Sequence, residues 1–169
     1  MEDWEIEPWL FVVEPYEGES LSHFLGRFRR ENDLSVNSLG TETGIGGVVG
    51  RWEKFRFNPP PSRMELEKLS KVVQVSVARL YQMLPPGGVG MKLEPIRLCG
   101  ACYTEVPCHR MEWQYKTSDR CTKHGLRLLS ECPNCGARFK IPSLWVDGWC
   151  TRCFLSFGEM AKFQKSLYE

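Results

Sequence analysis

No cysteine occurs before residue 99, and no lysine or arginine within the first 20 residues. Long apolar runs are also missing. The longest, Trp9-Leu10-Phe11-Val12-Val13, falls far short of the roughly 18 residues a membrane span needs. The opening Met-Glu-Asp-Trp-Glu is acidic where a secretory signal would be basic, so a cytoplasmic location is expected. At 169 residues the chain is too short for a TIM barrel, which takes about 250. The signatures of catalysis are lacking as well. Gly44-Ile-Gly-Gly and Gly87-Gly-Val-Gly lack the Lys-Ser/Thr ending of a phosphate loop. There is no His-Glu-x-x-His, no deaminase-type His-x-Glu and no Asp-x-Asp set. Ser22 and His23 are adjacent on an expected helix and point apart, so they form no nucleophile–base pair. A protein that is not an enzyme is expected.

The chain has the composition of a globular protein, 42% hydrophobic and 25% charged. Its net charge of +1 hides a split. Residues 1–20 hold seven acids, leaving 22 bases against 14 acids in the rest. That imbalance favours a polyanionic partner.

All eight cysteines lie between Cys99 and Cys153. Seven of them, with His124, fall into a repeated form: Cys99-Gly-Ala-Cys102, Cys121-Thr-Lys-His124, Cys132-Pro-Asn-Cys135 and Cys150-Thr-Arg-Cys153. Two residues between donors let one tight turn aim both at one ion, and two such turns complete the tetrahedron Zn²⁺ prefers. Disulfides need neither this regularity nor a histidine in one slot. Two structural Zn²⁺ ions are expected. Sequential pairing joins Cys99, Cys102, Cys121 and His124, then Cys132, Cys135, Cys150 and Cys153. It closes the shorter loops and is favoured over a cross-brace, which stays open as the alternative. All four positions of each site are filled, which suits structure rather than hydrolysis. Cys108 and His109 are left over. They read as a buried small side chain beside a surface imidazole, or else one replaces a listed donor. Residues 95–169 have little apolar periodicity, so metal is expected to stand in for a deep core. Their 11 bases and 7 acids shrink to a net of about +1 once thiolate-bound zinc is counted.

Residues 20–84 read as helices broken by Gly and Pro. Ser20 caps a helix with Leu21, Phe24, Leu25 and Phe28 on one face. Ser35 starts a second, ending near Gly44, and residues 48–55 a third. Ser62-Arg-Met-Glu65 is a capping-box pattern, and Ser76 caps again after a turn at Gln74-Val75. Two helix pairs thus have a helix-turn-helix outline. The expected fold is mainly α: an acidic tail (1–19), a helix-turn-helix domain (20–84), a Pro/Gly hinge (85–95), two zinc fingers (96–128 and 129–156) and a C-terminal segment (157–169). Arg51, Lys54 and Arg56 on the third helix, and Arg120, Lys123 and Arg127 in the first finger, are candidate phosphate contacts; solvated charged faces are the plain alternative. Trp9, with Leu10 and Phe11, is a candidate docking element for a protein partner, since aromatic residues dominate interface hot spots. Packing onto the helices is the other reading.

Several of these stretches resemble the TniQ family. They are Pro15-Tyr-Glu-Gly-Glu-Ser-Leu-Ser22, Leu25-Gly-Arg27, Cys99-x2-Cys102, Glu112-Trp-Gln-Tyr115, Cys121-x2-His124-Gly125, Leu128 and Cys132-Pro-x-Cys135, in the family's order. The start Pro8-Trp-Leu-Phe11, Arg51-Trp-Glu53 and the phrase from Gly90-Met91 to Cys102 are most similar to the short TniQ of type V CRISPR-associated transposons. The resemblance implies a non-catalytic adaptor in RNA-guided DNA transposition. It would link a TnsC-like AAA+ regulator on DNA to a type V Cas effector carrying guide and tracrRNA, meeting target DNA indirectly. It also implies that the eight donors named above hold zinc. Only 16 residues follow Cys153, where longer relatives carry DNA-reading domains, so independent site recognition is not expected. An autonomous DNA-binding regulator is the alternative.

Overall fold

A computed structural model describes residues 11–169. Trp9 and Leu10 of the candidate docking element lie outside the described residues; Phe11 is exposed.

Among the described residues, five helices build the first half. They are α1 (Leu21–Glu31), α2 (Val36–Thr43), α3 (Val48–Glu53), α4 (Arg63–Val73) and α5 (Val77–Gln82). Four start at serines whose hydroxyls accept a backbone N–H three residues on: Ser20, Ser35, Ser62 and Ser76. At α4 the reciprocal bond from Ser62 N–H to the Glu65 carboxylate completes the capping box. Gly44, in the left-handed region at φ 72°, ends α2. Leu21, Phe24, Leu25 and Phe28 of α1 pack against Leu39, Val49, Trp52, Leu66 and Leu69 in one core.

The third helix stops at Glu53, short of the expected residue 55. Phe55 takes a left-handed φ of 60°. Its N–H bonds the Trp52 carbonyl and the Arg56 N–H the Arg51 carbonyl. This is the two-bond helix ending usually built on glycine. A phenylalanine in that region carries a steric cost of about 1–2 kcal/mol. Burial offsets it, because Phe55 is 1% exposed, with its ring against Phe57 and His109.

The second half has few regular elements. Helix α6 (Gly100–Glu105) begins at the first cysteine pair. Strands β1 (Arg120–Cys121) and β2 (Leu126–Arg127) form a short antiparallel hairpin. Short 3₁₀ turns lie at Met111–Gln114, Pro142–Leu144 and Glu159–Phe163. Contrary to the expectation from periodicity, this half has an apolar core of its own. Ile96, Leu98, Trp113, Trp145, Phe157 and Met160 are buried around the cysteines, and Phe55 joins them from the helical half. The side chains are contributed singly by loops, so no helical or strand period announces them.

The halves interlock along α1. Gly26 faces the Ser143 backbone so closely that a Cβ would lie 2.2 Å from the Ser143 carbonyl oxygen. Arg30 donates to the carbonyls of Ser143 (2.7 Å) and Trp145 (2.9 Å). Ser22 Oγ accepts from Ser143 N–H and donates to the Glu53 carbonyl. Ser20 N–H donates to the His109 carbonyl at 2.8 Å. The Pro/Gly segment between the halves is itself tied down. Lys92 N–H bonds the Gln114 carbonyl, Lys116 N–H the Gly90 carbonyl, and the Gln114 amide the carbonyls of Lys92 and Pro95. Independent swinging of the halves would have to break the bonds that tie Ser20, Ser22 and Arg30 to His109, Ser143 and Trp145.

Candidate metal centres

Two groups of four donors converge, and they pair sequentially. Cys99, Cys102, Cys121 and His124 form one, Cys132, Cys135, Cys150 and Cys153 the other, with all donor atoms of a group within 4.8 Å of one another. In the first, Cys102 Sγ lies 3.4 Å from Cys121 Sγ, and His124 Nδ1 lies 3.3 Å from Cys102 Sγ and 3.4 Å from Cys121 Sγ. In the second, Cys132–Cys153 and Cys135–Cys150 are 3.6 and 3.5 Å apart. These separations far exceed a disulfide bond of about 2.05 Å. They approach the edge of a tetrahedron with metal–sulfur bonds of about 2.3 Å, which is about 3.8 Å. Each group can therefore bind one metal ion.

The local chain explains the convergence. Cys99 precedes the first turn of α6 and Cys102 lies within it, while Cys121 ends β1 and His124 sits in the hairpin turn. In the second group, Gly136 N–H bonds the Cys132 carbonyl and Phe154 N–H the Cys150 carbonyl, closing two similar turns. Hydrogen bonding with the Cys102 thiol draws Cys99 down to about 5. The Asn134 side chain draws Cys153 down to about 6. Thiolates, the metal-binding form, are thus favoured at Cys99 in the first group and at Cys150 and Cys153 in the second.

Cys108 and His109 join neither group. Burial pushes the Cys108 thiol up to about 12, so it stays protonated. His109 is not a surface imidazole: it is fully buried, and desolvation holds its pKa well below the ordinary value. Its Nδ1 lies 2.9 Å from Ser20 Oγ and its Nε2 3.3 Å from Gln114 Oε1. The Gln114 oxygen accepts, so the neutral ring carries its proton on Nε2 and accepts from Ser20. Beside it, buried Glu19 takes His23 Nδ1–H at 2.5 Å and two bonds from Arg27 at 2.7 and 2.8 Å. Burial works to raise the Glu19 carboxyl, but these bonds prevail and hold it below its usual range. For His23 burial outweighs the carboxylate, and the ring is kept neutral. Sequence reasoning missed this junction. Its one signal was the clustering of Glu19, Ser20, Ser22 and His23 at the start of an apolar helix.

The candidate phosphate contacts fall into two places. Arg51, Lys54 and Arg56 lie at and just past the end of α3, with Arg51 donating to the Asn58 carbonyl. Arg120 and Arg127 face each other across the hairpin and share Asp119, at 2.9 and 3.9 Å. Lys123, in the turn, pairs with Glu105. Each of these three cations of the first finger therefore has an acidic neighbour.

Fold and site together define a mostly helical small protein with two four-donor groups that could each hold a metal ion. No described helix is long and apolar enough to cross a membrane. The TniQ family model matches residues 10–128, and the chain belongs to that family, a family associated with transposition. The match takes in the first donor group and ends before the second. No curated protein matches the chain.

Proposed function

We propose that this protein is a non-catalytic adaptor of RNA-guided DNA transposition. It joins an AAA+ regulator assembled on DNA to a target-bound type V Cas effector with its guide and tracrRNA, in the bacterial cytoplasm. Membership of the TniQ family over residues 10–128 is the observation that carries this reading. The donor chemistry agrees with it. Three thiolates with one imidazole, and four thiolates, suit zinc, and filled tetrahedra leave no position for an activated water. Zinc is therefore assigned to both centres as a structural ion.

In this reading the helix pairs α2–α3 and α4–α5 act as helix-turn-helix units. The helical half docks the regulator, with Trp9, Leu10 and Phe11 as its apolar anchor. The fingers face RNA or effector through Arg120, Lys123 and Arg127. Their pairing with Asp119 and Glu105 means phosphate must displace a carboxylate, which makes the contact weak and salt-sensitive. Target choice is then left to base pairing.

The test is a pull-down of the zinc-loaded chain with the regulator and with the guide-loaded effector on target DNA, with metal content read on the same sample. Recruitment by both at two zinc per chain is expected. A discrete footprint on naked DNA without recruitment would replace the adaptor by an autonomous DNA-binding regulator.

A further inference from the structure

The two metal centres are not equivalent, because only the first contains a histidine, and that histidine has a carboxylate behind it. His124 turns Nδ1 toward the sulfurs of Cys102 and Cys121 and sets Nε2 2.6 Å from Glu105 Oε1. The other Glu105 oxygen, Oε2, takes the Lys123 ammonium. Glu105 sits on α6 one turn beyond Cys102, so one short helix and its N-cap residue supply two thiols and the carboxylate that meets the fourth donor. The carboxylate thus spans from α6 to the hairpin turn and grips two adjacent residues there.

We propose that Glu105 is a positioning residue of the first metal site. Resting on the reading of that cluster as a zinc centre, its role follows from imidazole chemistry. A histidine that gives Nδ1 to a metal must carry its proton on Nε2, and a carboxylate on Nε2 holds that tautomer and ring angle. Without it, the free ring can rotate away or place its proton on Nδ1, and both forms are closed to the metal. The second centre, with four thiolates, needs no such device. Lys123 orients the carboxylate but does not reach the ring.

Zinc titration of the full chain against a chromophoric chelator separates this role from a merely structural one, with the second centre as an internal control. Glu105→Ala is expected to weaken one of the two sites by about 10–100-fold and leave the other unchanged. Glu105→Gln, which keeps an oxygen acceptor, falls between. In long-range ¹⁵N–¹H spectra of the zinc form, His124 shows a metal-bound Nδ1 and a protonated Nε2, and Glu105→Ala broadens or shifts those signals. Unchanged affinity and unchanged His124 signals in Glu105→Ala would overturn the proposal. Equal weakening of both sites would also overturn it, by showing general loss of structure. A wild-type chain that takes up no zinc would remove the metal reading itself.

Discussion

The helical half and the metal half hold themselves together by different means. Residues 21–82 place Leu, Val and Phe at helical intervals, cap their helices with serine and bury one continuous core. Residues 96–163 have one two-turn helix, a two-residue hairpin and scattered 3₁₀ turns, yet bury three of their tryptophan and phenylalanine side chains around two donor clusters. The difference lies in what orders the backbone. A helix satisfies its own peptide groups and needs only one apolar face. A loop must be pinned at points, and eight converging donors do so.

Metal removal should separate the halves most sharply. A strong chelator is expected to cost on the order of 10 kcal/mol per site. Hydrogen exchange should then show protection lost across residues 96–163 and retained at Leu66 and Leu69. Equal loss in both halves would make the contrast one of sequence only. Next in size is Phe55→Ala, which empties a buried ring position in the metal half by a substitution in the helical half. A loss of about 3–5 kcal/mol is expected by denaturant unfolding. It should appear as weakened order around Trp113 and Trp145 rather than around α4. Gly26→Ala drives a methyl into the Ser143 backbone. Its cost of about 1–3 kcal/mol should leave zinc content intact while protection falls at Ser143 and Trp145. Smallest is Ser62→Ala, which removes the α4 capping box at about 1 kcal/mol and should shift the unfolding midpoint without touching either metal site.

How much could be read in the sequence follows the same division. Ser20, Ser35, Ser62 and Ser76 marked helix starts because a cap is a local event, complete within four residues. The two donor groups were legible because ligand spacing is local too, and the favoured sequential pairing is the one in which they meet. The junction was not legible. Ser20 meets His109 from 89 positions away, and Ser22 meets Ser143 from 121. No periodicity encodes a bond of that reach. His109 consequently read as a surface group, although it is wholly enclosed. Phe55 escaped for a related reason: a bulky residue in the left-handed region makes sense only once the pocket that receives its ring exists.

The contact between α1 and Ser143 also bears on the order in which the protein is made. At about 5–20 residues per second, the Ser143 turn leaves the ribosome on the order of 10 s after Gly26. During that interval Glu19, His23 and Ser22 face water, and the groove along α1 stands open to any chain that can fill it. Closing the groove needs the last third of the polypeptide, which in the proposed zinc-bound reading is ordered by metal uptake. In that reading metal supply becomes a checkpoint on closure of the α1 groove, in a helical domain that contributes no donor to either group.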